Sequence, residues 1–75
     1  MVLTDEIKQA LVAAFPNAQI QVADSTGGGD HFAVRVVASQ FAGHNLVDQH
    51  RMIYGALGGL MPRIHALQLH TEVPA

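Results

Sequence analysis

The stretch DSTGGGDHFAVRVVA, Asp24 to Ala38, sets three consecutive glycines directly in front of an alternating apolar run. From His31 to Ala38, Phe32, Val34 and Val36 fall on one face and Arg35 on the other, the period-two pattern of a half-buried strand. Upstream, Ile20 and Val22 alternate with Gln19 and Gln21, which predicts another strand over Ala18 to Ala23. The glycines therefore join a strand to a strand. A phosphate-cradling loop needs its glycines between a strand and a helix, so that the phosphate meets the helix N-terminus, and a P-loop adds Gly-Lys-Ser/Thr. Neither condition is met. Asp24 to Asp30 reads instead as a longer than minimal hairpin connection whose glycines adopt positive φ.

The flanks complete the order. Thr4 is the expected N-cap of a first helix, with Asp5 and Glu6 in the turn where the helix dipole favours anions. Ile7, Leu11, Ala14 and Phe15 recur at helical spacing, and Pro16-Asn17 ends the element. After a connection over Ser39 to Asn45, the spacing of Leu46, Val47, His50, Ile53, Tyr54, Leu57 and Leu60 predicts a second helix. Gly55, Gly58 and Gly59 weaken its far end, each by about 1 kcal/mol against alanine. Pro62 biases Met61 away from the helical region, so the helix should stop near Gly58 to Leu60. Ile64 to Thr71, with Leu67 and Leu69 alternating, predicts a third strand. Strand, helix, strand implies a right-handed crossover and parallel pairing. The expectation is a single α+β domain over residues 1–75, ordered α-β-β-α-β, with helices on one face of a three-stranded mixed sheet.

Composition narrows the chemistry. Seventy-five residues bury only about 60% of the surface exposed by the unfolded chain, so the core is small. There is no cysteine, hence no disulfide framework and no thiolate site. Neither a signal peptide nor an apolar stretch of transmembrane length is visible, which predicts a soluble cytoplasmic protein. The net charge is −2, with four Lys and Arg, few for neutralising nucleic-acid phosphates. Ser25 and Ser39 lie outside any nucleophile-elbow context, and no element carries paired carboxylates, so an enzyme is not expected.

Histidine is the abundant donor, at five residues. His44 lies in a polar connection and reads as solvated. His50 shares the apolar stripe of the second helix and reads as a partly buried, hydrogen-bonded imidazole. His70 alternates onto the exposed face. His31 and His65 each open a strand, where a backbone anchored in a sheet can present a donor outward. The sequence leaves open whether they share one rim or lie at opposite rims. Two imidazoles with open positions would suit Fe, Zn or Cu, but two ligands rarely suffice without a partner.

The runs HFAVRVVASQFAG, VDQHRMIYGAL and IHALQLHT together resemble the BolA family over nearly the whole chain. The resemblance rests on the Phe41-x-Gly43 turn, the His50-Arg51-x-x-Tyr54 helix and the Ile64-His65-Ala66-Leu67 segment. It implies an α-β-β-α-β fold similar to a class II KH domain, and a non-enzymatic iron–sulfur role. Such proteins pair with monothiol glutaredoxins, and the heterodimer holds a [2Fe-2S] cluster. The glutaredoxin supplies a cysteine and the thiol of a bound glutathione. The ligand from the BolA-like chain maps onto His65, and a second comes from the loop between the first two strands. The position that often carries cysteine in that loop is Gly28 here, and His31 is the nearest donor.

The family resemblance also implies an alternative, a KH-like DNA-binding transcriptional regulator. KH domains clamp the backbone with a Gly-x-x-Gly loop between two helices. Gly27 to Gly29 lie instead between strands, and Gly55, Gly58 and Gly59 within the second helix. A third reading is a small homodimer or adaptor whose histidines are surface residues.

Overall fold

The structure, a computed structural model, describes residues 1–75. Helix α1 spans Thr4–Ala14, strands β1 and β2 span Gln19–Asp24 and His31–Val37, helix α2 spans Leu46–Leu57, and strand β3 spans Ala66–Glu72. This is the expected α-β-β-α-β order, and the sheet is mixed. β1 and β2 pair antiparallel from Gln19↔Val37 to Asp24↔Phe32. β3 runs parallel to β2 from His31↔Ala66 to Val37↔Glu72, which leaves β2 in the centre.

Local chemistry moves several boundaries. Leu3, not Thr4, is the N-cap of α1. Val2 is held extended by donating its N–H to the Gly29 carbonyl at 2.8 Å, and the Glu6 carboxylate accepts the Leu3 N–H at 3.0 Å. The helix thus begins one residue earlier than the sequence pattern indicated, with Thr4 its first residue rather than its cap. For α2, Asn45 caps the start by accepting the Asp48 N–H at 2.8 Å. Its end falls at Leu57, after which Gly58–Arg63 tighten into a 3-10 turn that contains Pro62. That turn closes with the Ile64 N–H on the Met61 carbonyl. β3 therefore begins at Ala66 rather than Ile64, and His65 stands immediately before the strand.

The period-two pattern puts Phe32, Val34 and Val36 under the helices, where they meet Ile7 and Leu11 of α1 and Ile53 and Leu57 of α2 in one buried cluster. Phe41, fully buried on the 3-10 turn Ser39–Phe41, packs against Phe15 with ring centroids 5.2 Å apart. That separation lies in the favourable range for tilted aromatic pairs. The other sheet face carries no helix. Gln19, Gln21 and Ala23 of β1 are exposed there, as are Gln68, His70 and Glu72 of β3. No helix is long and apolar enough to cross a membrane.

Candidate functional site: a histidine pair at the sheet rim

Parallel pairing decides the question of the rims. β2 begins at His31, β3 begins one residue after His65, and His31 lies opposite Ala66. Both histidines consequently stand at one end of the sheet, with ring centroids 4.9 Å apart and planes inclined at 36°. The His31 side chain keeps 38% of its surface in solvent, and His65 is exposed. Both rings are open to a partner.

The glycine loop positions this pair. Asp24, the last residue of β1, turns its carboxylate into the loop and accepts three backbone N–H groups. These come from Thr26 at 3.3 Å, Gly27 at 2.8 Å and Gly29 at 2.9 Å. Ser25 N–H reaches the His31 carbonyl at 2.8 Å, closing the base of the hairpin. Gly27 and Gly29 take positive φ, 78° and 75°. The loop is thus an anionic turn organised around a carboxylate. It already holds its own anion, so the N–H groups that a phosphate would need are occupied. Asp30 ties the two histidine-bearing segments together, since its carbonyl accepts from His65 N–H at 2.7 Å and Ala66 N–H at 3.1 Å. Its carboxylate lies 3.8 Å from the His31 Nε2.

Asp24 and Asp30 are the residues that sequence reasoning missed. The signal for Asp24 was present: an aspartate followed by Ser-Thr-Gly is a strong turn former, because its side chain bonds backbone N–H groups just downstream. The role of Asp30 lies in its carbonyl and could not be read from residue type.

The remaining histidines stand apart from the pair. His44 is exposed, as expected. His50 is half-buried, but its Nε2 is buried without a hydrogen-bond partner, contrary to the bonded imidazole expected. It shares its helix stripe with Ile53 and Leu57, and that apolar surrounding offers no acceptor. His70 lies on the open sheet face, with its Nε2 2.6 Å from the Glu72 carboxylate, which also accepts from Arg35 at 3.3 Å. The bond with His70 and then that with Arg35 hold the Glu72 carboxyl below the usual carboxylate range. Arg63 similarly pairs with Glu6 at 3.4 Å. Two of the four basic side chains are therefore engaged within the chain, which favours nucleic-acid contact still less.

The donor chemistry of the rim fits a metal centre of a particular kind. Two imidazoles bound to one tetrahedral ion at about 2.0–2.1 Å have centroids about 5 Å apart, so the 4.9 Å spacing of the pair is compatible with such a centre, as it is with plain ring contact. Yet no group of three or more histidine, aspartate or glutamate side chains here could hold a metal ion. The rim offers half a coordination sphere.

Comparison with known proteins agrees with this architecture. Residues 8–75 match the family model described as BolA-like protein. The chain is 37% identical over 70 residues to Protein BOLA2 of Arabidopsis thaliana, covering 92% of this chain and 75% of that one. Among solved structures, a bol-like protein from Babesia bovis superposes with a TM-score of 0.89 at 29% identity, covering 99% of this chain and 87% of that one. The BolA domain of SufE1 from Arabidopsis thaliana superposes with a TM-score of 0.86 at 28% identity, covering 95% and 91%. Family model, sequence relatives and fold agree: the chain belongs to the BolA-like protein family.

Proposed function

We propose that this chain is a non-enzymatic partner protein that supplies His65 and His31 to a [2Fe-2S] cluster shared with a monothiol glutaredoxin and its bound glutathione, in cluster trafficking or iron sensing. The observation that carries the proposal is the His31–His65 pair, 4.9 Å apart at one rim and without a third donor in the chain. A centre held there must be completed by a second molecule. With Gly28 at the loop position that often carries cysteine in the family, the nearest side-chain donor is His31, and its ring already faces His65.

The cluster supplies electron-transfer and transfer-competent iron–sulfur chemistry when bound. Two histidines in place of two thiolates raise the potential of a [2Fe-2S] centre well above that of an all-cysteine one. The chain's own contribution is to hold two imidazoles on fixed backbone, His31 through β2 and His65 through the Asp30 carbonyl.

The test is titration of a cluster-loaded monothiol glutaredoxin with this protein, followed by visible circular dichroism. The spectrum should change to a new saturating form, and His65→Ala and His31→Ala should each abolish or alter that form. An unchanged spectrum on mixing, or wild-type behaviour of both variants, would overturn the proposal.

A further inference from the structure

Three separate pieces of chain meet behind the histidine pair: the N-terminal Met1–Leu3, the end of the glycine loop, and the segment leading from Pro62 to His65. Each is bonded to both others. Val2 N–H donates to the Gly29 carbonyl at 2.8 Å, and His65 N–H donates to the Asp30 carbonyl at 2.7 Å. The third side belongs to Arg63, whose Nη2 donates to the Met1 carbonyl at 2.8 Å. Its Nη1 lies 3.4 Å from a Glu6 carboxylate oxygen, and the other oxygen of that carboxylate holds the Leu3 N–H at 3.0 Å. Val2 is buried in the core and so anchors the whole ring of bonds.

The geometry points to Arg63 as the positioning residue of the site: it fastens the segment bearing His65 to the N-terminal segment that also fastens the loop bearing His31, and so sets the separation of the two rings. This rests on the function proposed above, but the structural part stands without any cluster. The Asp30 carbonyl, which takes the His65 and Ala66 N–H groups, and the buried Ile64 side chain fix the segment to the loop and to the core, but neither ties it to Met1–Leu3. The Arg63 fork adds that tie, two residues before His65, and so links the segment to the piece of chain that holds the loop through Val2 and Gly29. Arginine suits the position because its planar fork reaches a carbonyl and a carboxylate together. The side chain is 49% exposed, so its bonds add little to global stability. It acts on orientation.

The experiment uses the full chain labelled uniformly with nitrogen-15, compared as wild type, Arg63→Ala, Arg63→Lys and, as a control, Arg35→Ala. Arg35 makes an ion pair of similar exposure with Glu72 on the open sheet face. In Arg63→Ala the ring and amide signals of His65, and the amide of Gly29, should shift beyond the linewidth or broaden. Arg63→Lys should restore them only in part, because an ammonium donates to the Met1 carbonyl but lacks the fork that also takes the Glu6 carboxylate. Arg35→Ala should leave them in place. Unmoved His65 and Gly29 signals in Arg63→Ala would overturn the inference, as would equal shifts in Arg35→Ala. With glutaredoxin present, Arg63→Ala should lose the cluster about 10-fold faster, the scale seen when the support of a metal ligand is removed. If the free-chain signals move as expected while His65→Ala keeps the wild-type cluster spectrum, the ligand assignment fails and the positioning role stands.

Discussion

Gly28 and Gly29 are neighbours in the same loop, yet alanine should have opposite effects at the two. At Gly29 the backbone has φ of +75°, where an L side chain costs about 1–2 kcal/mol. A Cβ there would also run into the Met1 side chain and stand 3.2 Å from the Val2 carbonyl oxygen. Met1 is exposed and can move, but Val2 is buried and its N–H is bonded to Gly29 itself. Overpacking of this kind adds about 1–2 kcal/mol, for a total of about 2–4 kcal/mol. At Gly28 φ is not left-handed, and a Cβ would meet only Asp30 Oδ1 at 3.2 Å and Thr26 Oγ1 at 3.4 Å, both rotatable side-chain ends. The smaller freedom of the unfolded chain then favours alanine by about 0.4–1 kcal/mol. A domain of this size changes its Tm by roughly 4–8 °C per kcal/mol. Urea and thermal unfolding followed by circular dichroism should show Gly29→Ala lowered by roughly 8–30 °C and Gly28→Ala raised by roughly 2–8 °C. Equal losses at the two positions, or a tolerated Gly29→Ala, would refute the reasoning. Gly28→Cys should fold for the same reason that Gly28→Ala does, and would place a thiol at the loop position that often carries cysteine in the family. Mixed with cluster-loaded glutaredoxin, it should give a visible spectrum distinct from wild type.

Three other outcomes follow from particular contacts. Asp24→Ala removes the acceptor of three loop N–H groups. Water can replace the two exposed bonds but only partly the part-buried one at Gly29, so a loss of about 1–3 kcal/mol in urea unfolding is expected. A loss under about 0.5 kcal/mol would contradict the organising role given to that carboxylate. Phe41→Ala empties a fully buried site against Phe15 and should cost about 3–5 kcal/mol. That is a large part of the total stability of about 4–11 kcal/mol expected at this length, so a well-folded variant with wild-type Tm would count against the core described. The Glu72 carboxyl, held low by His70 and then Arg35, releases its proton at lower pH in the folded than in the unfolded chain. Its contribution is present above the unfolded carboxylate pKa and is lost as pH falls through the lower folded value. In an NMR titration Glu72 should therefore protonate below the ordinary glutamate range, and His70→Ala should raise its midpoint. An unperturbed Glu72 midpoint in the wild type would be the contrary result.

Much of the fold is written in periodicities that the tertiary structure does not override. Phe32, Val34 and Val36 announce β2 and its buried face, and the glycine-rich break announces the hairpin. The strand–helix–strand order implies the parallel pairing of β3. Where expectation and structure part, a backbone N–H has found an acceptor that residue type does not announce. Thr4 looked like a cap because it is a good capping residue, but the Leu3 carbonyl takes the Glu6 and Ile7 N–H groups and the Glu6 carboxylate takes the Leu3 N–H, so the helix already starts at Thr4. Ile64 looked like the start of a strand because it is β-branched, but its N–H closes the preceding turn on Met61. The site was legible as two separate strand-opening histidines and no further. Their convergence depends on the register His31↔Ala66, and their support depends on the carbonyls of Asp30 and Met1. A carbonyl carries no signature in residue type. His50 shows the opposite failure, since spacing placed it on the apolar stripe but could not show that no acceptor awaits its Nε2.

Pulsed electron paramagnetic resonance of the reduced, cluster-bound heterodimer reads the ligands themselves. With nitrogen-15 histidine in this chain and an unlabelled glutaredoxin, the cluster signal should carry strong couplings to two labelled imidazole nitrogens. His65→Ala and His31→Ala should each remove one of them. A cluster spectrum without coupling to labelled nitrogen would contradict ligation by this histidine pair.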